Sequence, residues 1–324
     1  MAAVVLIASM LLGCSSGSRA NDAESNSGAD GSMVGVDDVA APPAGESTFD
    51  SPFYILVVGS DTRDGGVDEG KGSHGSDGHC RSDTSFFIRV DPANYSIALI
   101  TIPRDTEISY DGRSYKLNHA YDVGGVEELS RQVEALTGVE AKYWFVMKLA
   151  DFVPFIDGLG GVDVDVPVAL NRRLYVTGQK IAIDAGYQHL DGVETALLVQ
   201  NRMQYGGYAD AARQIQSRKV VEWCIRHVAA MDADAAEQCA NLLLSYCTTN
   251  MPAEECVNLV RAFAGHADQL SVVSCTGPYE GDIDAETELW LAYRDEETWR
   301  ALIAAVEEGE DPTVIVPLPE VYAG

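Results

Sequence analysis

The sequence predicts a single α/β domain with a central mixed β-sheet flanked by helices. Three observations lead there. Short β-rich runs alternate with helical patterns from Phe53 onward, no linker-like composition interrupts residues 53–308, and charged residues abut the ends of several apolar runs. Alternating elements of this kind pack as a sheet covered by helices. Ligands of such sheets sit at strand ends.

The runs Phe53–Val58, Thr84–Val90 and Ser96–Ile102 are rich in β-branched and aromatic residues and predict strands. A helix is expected over Val126–Leu136, a strand over Tyr143–Met147, a helix over Leu149–Leu159 and a strand over Val162–Val168. Further on, Val193–Val199 and Asp210–Val228 read as helices, the second with Ile215, Val220, Trp223 and Ile225 on one broad apolar face. Residues 236–265 read as helical, Ser271–Ser274 and Leu289–Tyr293 as late strands, and Asp295 as the N-cap of a last helix through Val306.

The chain of 324 residues carries 50 acidic against 22 basic side chains, a formal charge of -28. Such a field repels nucleic acid and anionic surfaces, so neither is an expected broad partner. Any phosphate site must be a local cluster. Residues 1–14 hold an apolar run too short to span a bilayer, ending in Leu11-Leu12-Gly13-Cys14. They read as an export signal, and the four residues resemble the bacterial lipobox, with Cys14 the lipidated position. Residues 15–50 have linker composition, 51–308 form the domain, and 309–324 read as a tail. Six further cysteines (Cys80, Cys224, Cys239, Cys247, Cys256 and Cys275) in an exported chain predict disulfides, with the pairing left open.

Charge meets strand ends at Gly59-Ser60-Asp61-Thr62-Arg63, at Arg81-Ser82-Asp83-Thr84 and at Ile102-Pro103-Arg104-Asp105-Thr106. If Ala93-Asn94 centres the hairpin between the second and third strands, Asp83 falls opposite Arg104. As exposed ion pairs these residues would contribute about 0–1 kcal/mol each. As a site, the arginines would present planar donor forks to phosphate oxygens while carboxylates hold a hard cation. The charges alone admit both readings.

These motifs, followed by Lys116-Leu117-Asn118-His119-Ala120-Tyr121, Gly124-Gly125, Gly160-Gly161-Val162, Val164-Asp165-Val166-Pro167 and Leu190-Asp191-Gly192, resemble the LytR-CpsA-Psr family. The resemblance implies transfer of a glycopolymer from a polyprenyl-pyrophosphate carrier to peptidoglycan through a phosphodiester. The setting it implies is extracytoplasmic, at the outer face of the cytoplasmic membrane, where a lipid anchor on Cys14 would hold the protein. It assigns Asp61 and Asp83 to a Mg²⁺ or Mn²⁺ ion, and Arg63, Arg81, Arg104, Arg202 and Arg213 to the pyrophosphate. Arg104, Arg202 and Asp105 become catalytic candidates, Asp105 as acceptor of the hydroxyl proton.

The chain departs from the family where Gln200-Asn201-Arg202 stands for Arg-x-Arg and where Ser217 stands for a glutamine after Asp210-Ala211-Ala212-Arg213. Gln200 would bind phosphate as a neutral donor, and in this frame neither Gln214 nor Gln216 replaces the missing amide. Two alternatives follow: a non-catalytic polyprenyl-phosphate binder, and a lipid pyrophosphatase using water. Trp144, Phe145, Phe152 and Phe155 are candidates for a polyprenyl pocket or for ordinary core. Asp163 and Asp165 alternate with valines and share one face of a strand, as a solvated edge or a second carboxylate site. No serine-hydrolase elbow, zincin or P-loop pattern is present in the sequence.

Overall fold

The computed structural model describes residues 49–60, 82–173, 178–202, 204–205 and 209–317. Its strands are β1 (Phe53–Ser60), β2 (Ser82–Asp91), β3 (Ser96–Ile102), β4 (Glu107–Tyr110), β5 (Arg113–Lys116), β6 (Tyr143–Lys148) and β7 (Val162–Val166). They continue with β8 (Leu170–Arg173), β9 (Lys180–Ile183), β10 (Gly186–Leu190), β11 (Cys247–Thr249), β12 (Ser271–Thr276), β13 (Gly281–Ile283) and β14 (Trp290–Ala292). The helices are α1 (Leu117–Thr137), α2 (Leu149–Gly158), α3 (Gly192–Gln200), α4 (Ala209–Ala229), α5 (Ala233–Tyr246), α6 (Ala253–Phe263) and α7 (Glu296–Glu307).

Six strands form the central sheet in the order β11-β6-β1-β2-β3-β12. It is mixed: β1 runs antiparallel to β2 and parallel to β6, and β3 runs antiparallel to β2 and parallel to β12. Both faces are covered, which is why the strands read as nearly unbroken apolar runs. Ile55, Ile88, Leu99 and Phe145 face a core closed by α2 to α6. Leu56, Phe87, Ile100 and Val146 face a second core closed by α1 and α7. The period of two along each strand thus sorts neighbouring residues into opposite layers. Phe145 and Phe155 are fully buried in the first core with Phe152 packed against it, and Trp144 packs against the second.

The β2–β3 connection is a 3-10 turn, Pro92–Asn94, capped by the Asp91 side chain and ended by Tyr95 at φ 47°. It sets Ser85 opposite Ile102, the register that puts Asp83 across from Arg104. Helix α7 starts at Asp295, whose carboxylate accepts from the Thr298 backbone N–H at 3.1 Å. Residues 309–316, read from sequence as tail, fold onto the second core, with Pro312 and Val316 buried.

Two expectations are corrected. The stretch 236–265, read as helical, is divided into α5 and α6 by β11, an edge strand pairing Thr248 with Val146. Thr249 Oγ1 donates to the Trp144 carbonyl at 2.6 Å and Asn250 Oδ1 accepts the Trp144 N–H at 2.7 Å, so sheet pairing displaces the helical bonds that this stretch would otherwise make. The predicted disulfides are also absent among the described cysteines: Cys224, Cys239, Cys247, Cys256 and Cys275 are free thiols. All but Cys247 are buried, where cysteine behaves as a small hydrophobe. Burial pushes the thiols of Cys247, Cys256 and Cys275 up to about 12. No helix among the described residues is long and apolar enough to cross a membrane.

Candidate functional site

The turn after β3 is held by the start of α1. Lys116, at the N-cap of α1, offers no capping side chain. The orphan N–H groups of Leu117 and Asn118 instead donate to the carbonyls of Thr106 and Arg104, at 2.8 and 3.1 Å. Thr106 closes the same turn by bonding the Pro103 carbonyl through its N–H at 3.0 Å and its hydroxyl at 2.7 Å. Arg104 and Asp105 therefore project from a backbone whose polar groups are already committed. Further along α1, Gly124 and Gly125 interrupt the helix, and Gly125 sits at φ 66°, a conformation that a side chain would strain.

Helix α4 reaches the same corner with Asp210 in its first turn, where the helix dipole favours an anion. Three guanidiniums converge on one of its oxygens. Asp210 Oδ1 lies 3.0 Å from Arg213 Nε, 3.6 Å from Arg202 Nε and 3.8 Å from Arg104 Nε. The other oxygen accepts from Gln214 Nε2 at 2.8 Å. Asp83 bridges the same cations, its Oδ1 2.7 Å from Arg104 Nη1 and 3.7 Å from Arg202 Nη2. Asp105 takes Lys116 Nζ on Oδ1 at 2.8 Å and faces Arg104 Nε from Oδ2 at 3.8 Å. Arg213 is almost wholly enclosed, at 3% exposure, and its Nη1 donates to Thr84 Oγ1 at 2.7 Å; Arg202 and Asp83 open to solvent at 35% and 42%.

The electrostatics follow from that crowding. Burial raises the Asp210 carboxyl and the guanidiniums more than offset it, Arg213 most of all, so it is held at about 2. Burial, then repulsion from Arg104 and Arg213, lowers the proton affinity of Arg202. For Arg104 burial acts in the same downward sense, but Asp83, Asp105 and Asp210 together raise it. Among the buried donors without a hydrogen-bond partner are Arg104 Nε, whose carboxylate contacts are too long, and Gln200 Nε2. Four cations (Arg104, Arg202, Arg213, Lys116) and three carboxylates (Asp83, Asp105, Asp210) give the described cluster one excess positive charge in a strongly acidic protein.

Of the residues singled out from sequence, Asp83, Arg104, Asp105, Arg202 and Arg213 come together, and Gln200 ends α3 two residues before Arg202. Cys14, Asp61, Arg63 and Arg81 lie outside the described residues. Lys116, Asp210 and Gln214 were not assigned a role, although Lys116 and Asp210 stand inside the quoted motifs. Gln214, which the frame places outside the expected glutamine position, bonds Asp210 through its amide, because i and i+4 share a helix face. Ser217 turns back to the Arg213 carbonyl, at 3.0 Å. Arg218 is buried and donates to Thr101 Oγ1 at 2.5 Å and to Thr276, which fastens α4 to the paired strands β3 and β12.

Comparison with solved structures finds the same fold in Bacillus subtilis TagV, with a TM-score of 0.64 at 22% identity over 80% of this chain and 98% of that one. It finds it also in a structure described as TagT bound to LIIa-WTA, at 0.60 and 18% over 80% and 91%. Among curated proteins, the polyisoprenyl-teichoic acid–peptidoglycan teichoic acid transferase TagU of Bacillus mycoides (strain KBAB4) is 33% identical over 184 residues, 56% of this chain and 54% of TagU. TagU of a Bacillus cereus strain is 35% identical over 178 residues, 54% and 52% respectively. The chain thus spans about half the length of the curated relatives it matches. Residues 16–299 match the LytR_cpsA_psr family, most of the chain's length and the whole of the arginine cluster, and the chain belongs to that family.

Proposed function

We propose that this protein transfers a glycopolymer from a polyprenyl-pyrophosphate carrier to peptidoglycan, forming a phosphodiester, while anchored outside the cytoplasmic membrane by lipid on Cys14. The observation that carries the reading is the convergence of Arg104, Arg202 and Arg213 on a single carboxylate oxygen of Asp210. Three forks around one anionic oxygen match the charge spread over the oxygens of a transferring phosphoryl group. Arg104 Nε and Gln200 Nε2, buried without partners, supply two further donors for phosphate oxygens. The names of the teichoic acid transferases among its relatives support the same chemistry.

The acceptor sugar hydroxyl oxygen would form a bond to the sugar-proximal phosphorus as the bond from that phosphorus to the bridging oxygen breaks. Polyprenyl phosphate departs with the electron pair. The hydroxyl proton passes to Asp105, whose orientation Lys116 fixes. Asp83 suits one position of a Mg²⁺ or Mn²⁺ site, because both of its arginine contacts fall on Oδ1 and its side chain is 42% exposed. Asp61 is the proposed second ligand. The ion would supply charge neutralisation on the pyrophosphate oxygens.

The test is incubation of the purified protein with lipid-linked polymer, peptidoglycan oligomers and Mg²⁺. A phosphodiester-linked product is expected, and its absence refutes transfer. Phosphate release without an acceptor would identify a pyrophosphatase instead. Co-purified lipid with no turnover would identify a binder.

A further inference from the structure

Asp163 and Asp165 on β7 lie opposite His189 and Tyr187 on β10, all on the outer face of that ribbon, while Val162, Val164 and Val166 fill the core. Beside this face, α4 presents Lys219, Glu222, Trp223 and Arg226, and the two elements flank a shallow, open cleft of about 250 Å³. At 100° per residue Lys219, Glu222 and Arg226 fall on the half of α4 turned away from Arg213, while Trp223 lies about 80° around from Arg213 and about 15 Å further along the axis. The cleft is therefore separate from the arginine cluster.

Three features distinguish it from a solvated edge. Tyr187 exposes 75% of its surface in the middle of a strand, an exposure that folding alone does not require. Trp223 is held in place by stacking on His227, with ring centroids 4.4 Å apart at 15°. Asp165 and Lys219 line the same cleft with opposite charges, yet neither makes an ion pair or hydrogen bond among the described residues. Arg226 and Glu222 pair with each other, at 2.8 Å, and Asp163 is engaged by His189 at 2.9 Å.

An aromatic ring offers its negative face to the C–H face of a pyranose, and an unpaired carboxylate and ammonium accept from and donate to its hydroxyls and acetamido groups. Three carboxylates against two cations leave the cleft with one net negative charge, in a protein of -28, so a polyanion or an anionic lipid surface is disfavoured. We propose that this cleft binds a neutral N-acetylated oligosaccharide. It deepens the proposed function and rests on it for its role: an outlying subsite that holds the acceptor glycan while the reacting sugar lies at the arginine cluster.

Calorimetric titration of the full chain with a β-1,4-linked N-acetylglucosamine oligosaccharide should show saturable binding. Tyr187→Ala should weaken it roughly tenfold, the scale of one lost ring contact. Asp165→Asn should weaken it less, and both variants should bind inorganic pyrophosphate as the parent does. Absence of saturable binding, affinity unchanged in both variants, or preference for a glycerol-phosphate oligomer or a free stem peptide would overturn the proposal. Failure of the parent chain to bind pyrophosphate would overturn the functional reading instead, with the oligosaccharide titration still deciding the cleft.

Discussion

Asp210 Oδ1 takes the Nε of Arg213 at 3.0 Å and stands within 4 Å of two more guanidinium nitrogens. The carboxylate is thereby the shared counter-ion of the three arginines. Its folded-state pKa, about 2 against an ordinary 3.8, fixes a sign. The depressed value contributes stability that is fully present above pH 3.8 and lost as pH falls through 2, on the order of 2 kcal/mol. Urea unfolding of Asp210→Asn should lie below the parent at neutral pH, and the two should converge across that acidic window.

Arg202 is the arginine most able to gain from a ligand, since burial and two like-charged neighbours disfavour it in the free protein. Replacing Arg202 with alanine should lower pyrophosphate affinity roughly 10- to 100-fold, the loss of one charge-assisted contact. Thermal stability should change little, because the substitution also relieves repulsion. Calorimetry and a melting curve measure the two effects separately.

Gln200 holds an unpartnered amide nitrogen where the family pattern has an arginine. Gln200→Arg should tighten pyrophosphate binding roughly tenfold by making that contact charge-assisted. If transfer rises with binding, Gln200 limits the reaction. A rise in binding without transfer would place the limit elsewhere.

Lys116 orients Asp105 through a 2.8 Å ion pair, so Lys116→Met should reduce the rate of transfer more than the affinity for pyrophosphate. Lys116→Arg should restore part of the rate. Separate kcat and KM measurements on the lipid-linked donor distinguish this from general loss of structure, which would lower both.

Gly125 at φ 66° divides α1 beyond the segment that clamps Arg104. Gly125→Ala should cost about 1–3 kcal/mol, because φ 66° with ψ -155° is a conformation essentially restricted to glycine. A shift of the urea midpoint with an unchanged slope would confirm that only stability moved.

Much of this architecture is legible in local pattern. The runs at 53–58, 84–90 and 96–102 are so apolar that only a sheet covered on both faces can bury them, and strands stand there in the structure. The turn residues Asp91-Pro92-Ala93-Asn94 fix the register, and that register alone brings Asp83 to Arg104. Local composition misjudged residues 236–265, because Cys247–Thr249 gain their hydrogen bonds from β6, about a hundred residues earlier in the chain. The cysteines misled for a related reason: their number and the export signal suggest bridges, whereas the five described ones are free thiols, four of them buried in the core.

The sequence by itself determined the layered α/β architecture and singled out the arginines and aspartates that crowd the strand ends, since periodicity and motif order are properties of neighbouring residues. Only the tertiary structure decided that three of those arginines share one oxygen of Asp210, that Lys116 fixes Asp105, and that Gln214 joins the cluster. The physical reason is that β2, β3, α1 and α4 meet at one corner of the sheet. Charge interactions there depend on distances between segments far apart in the chain, and no local pattern encodes them.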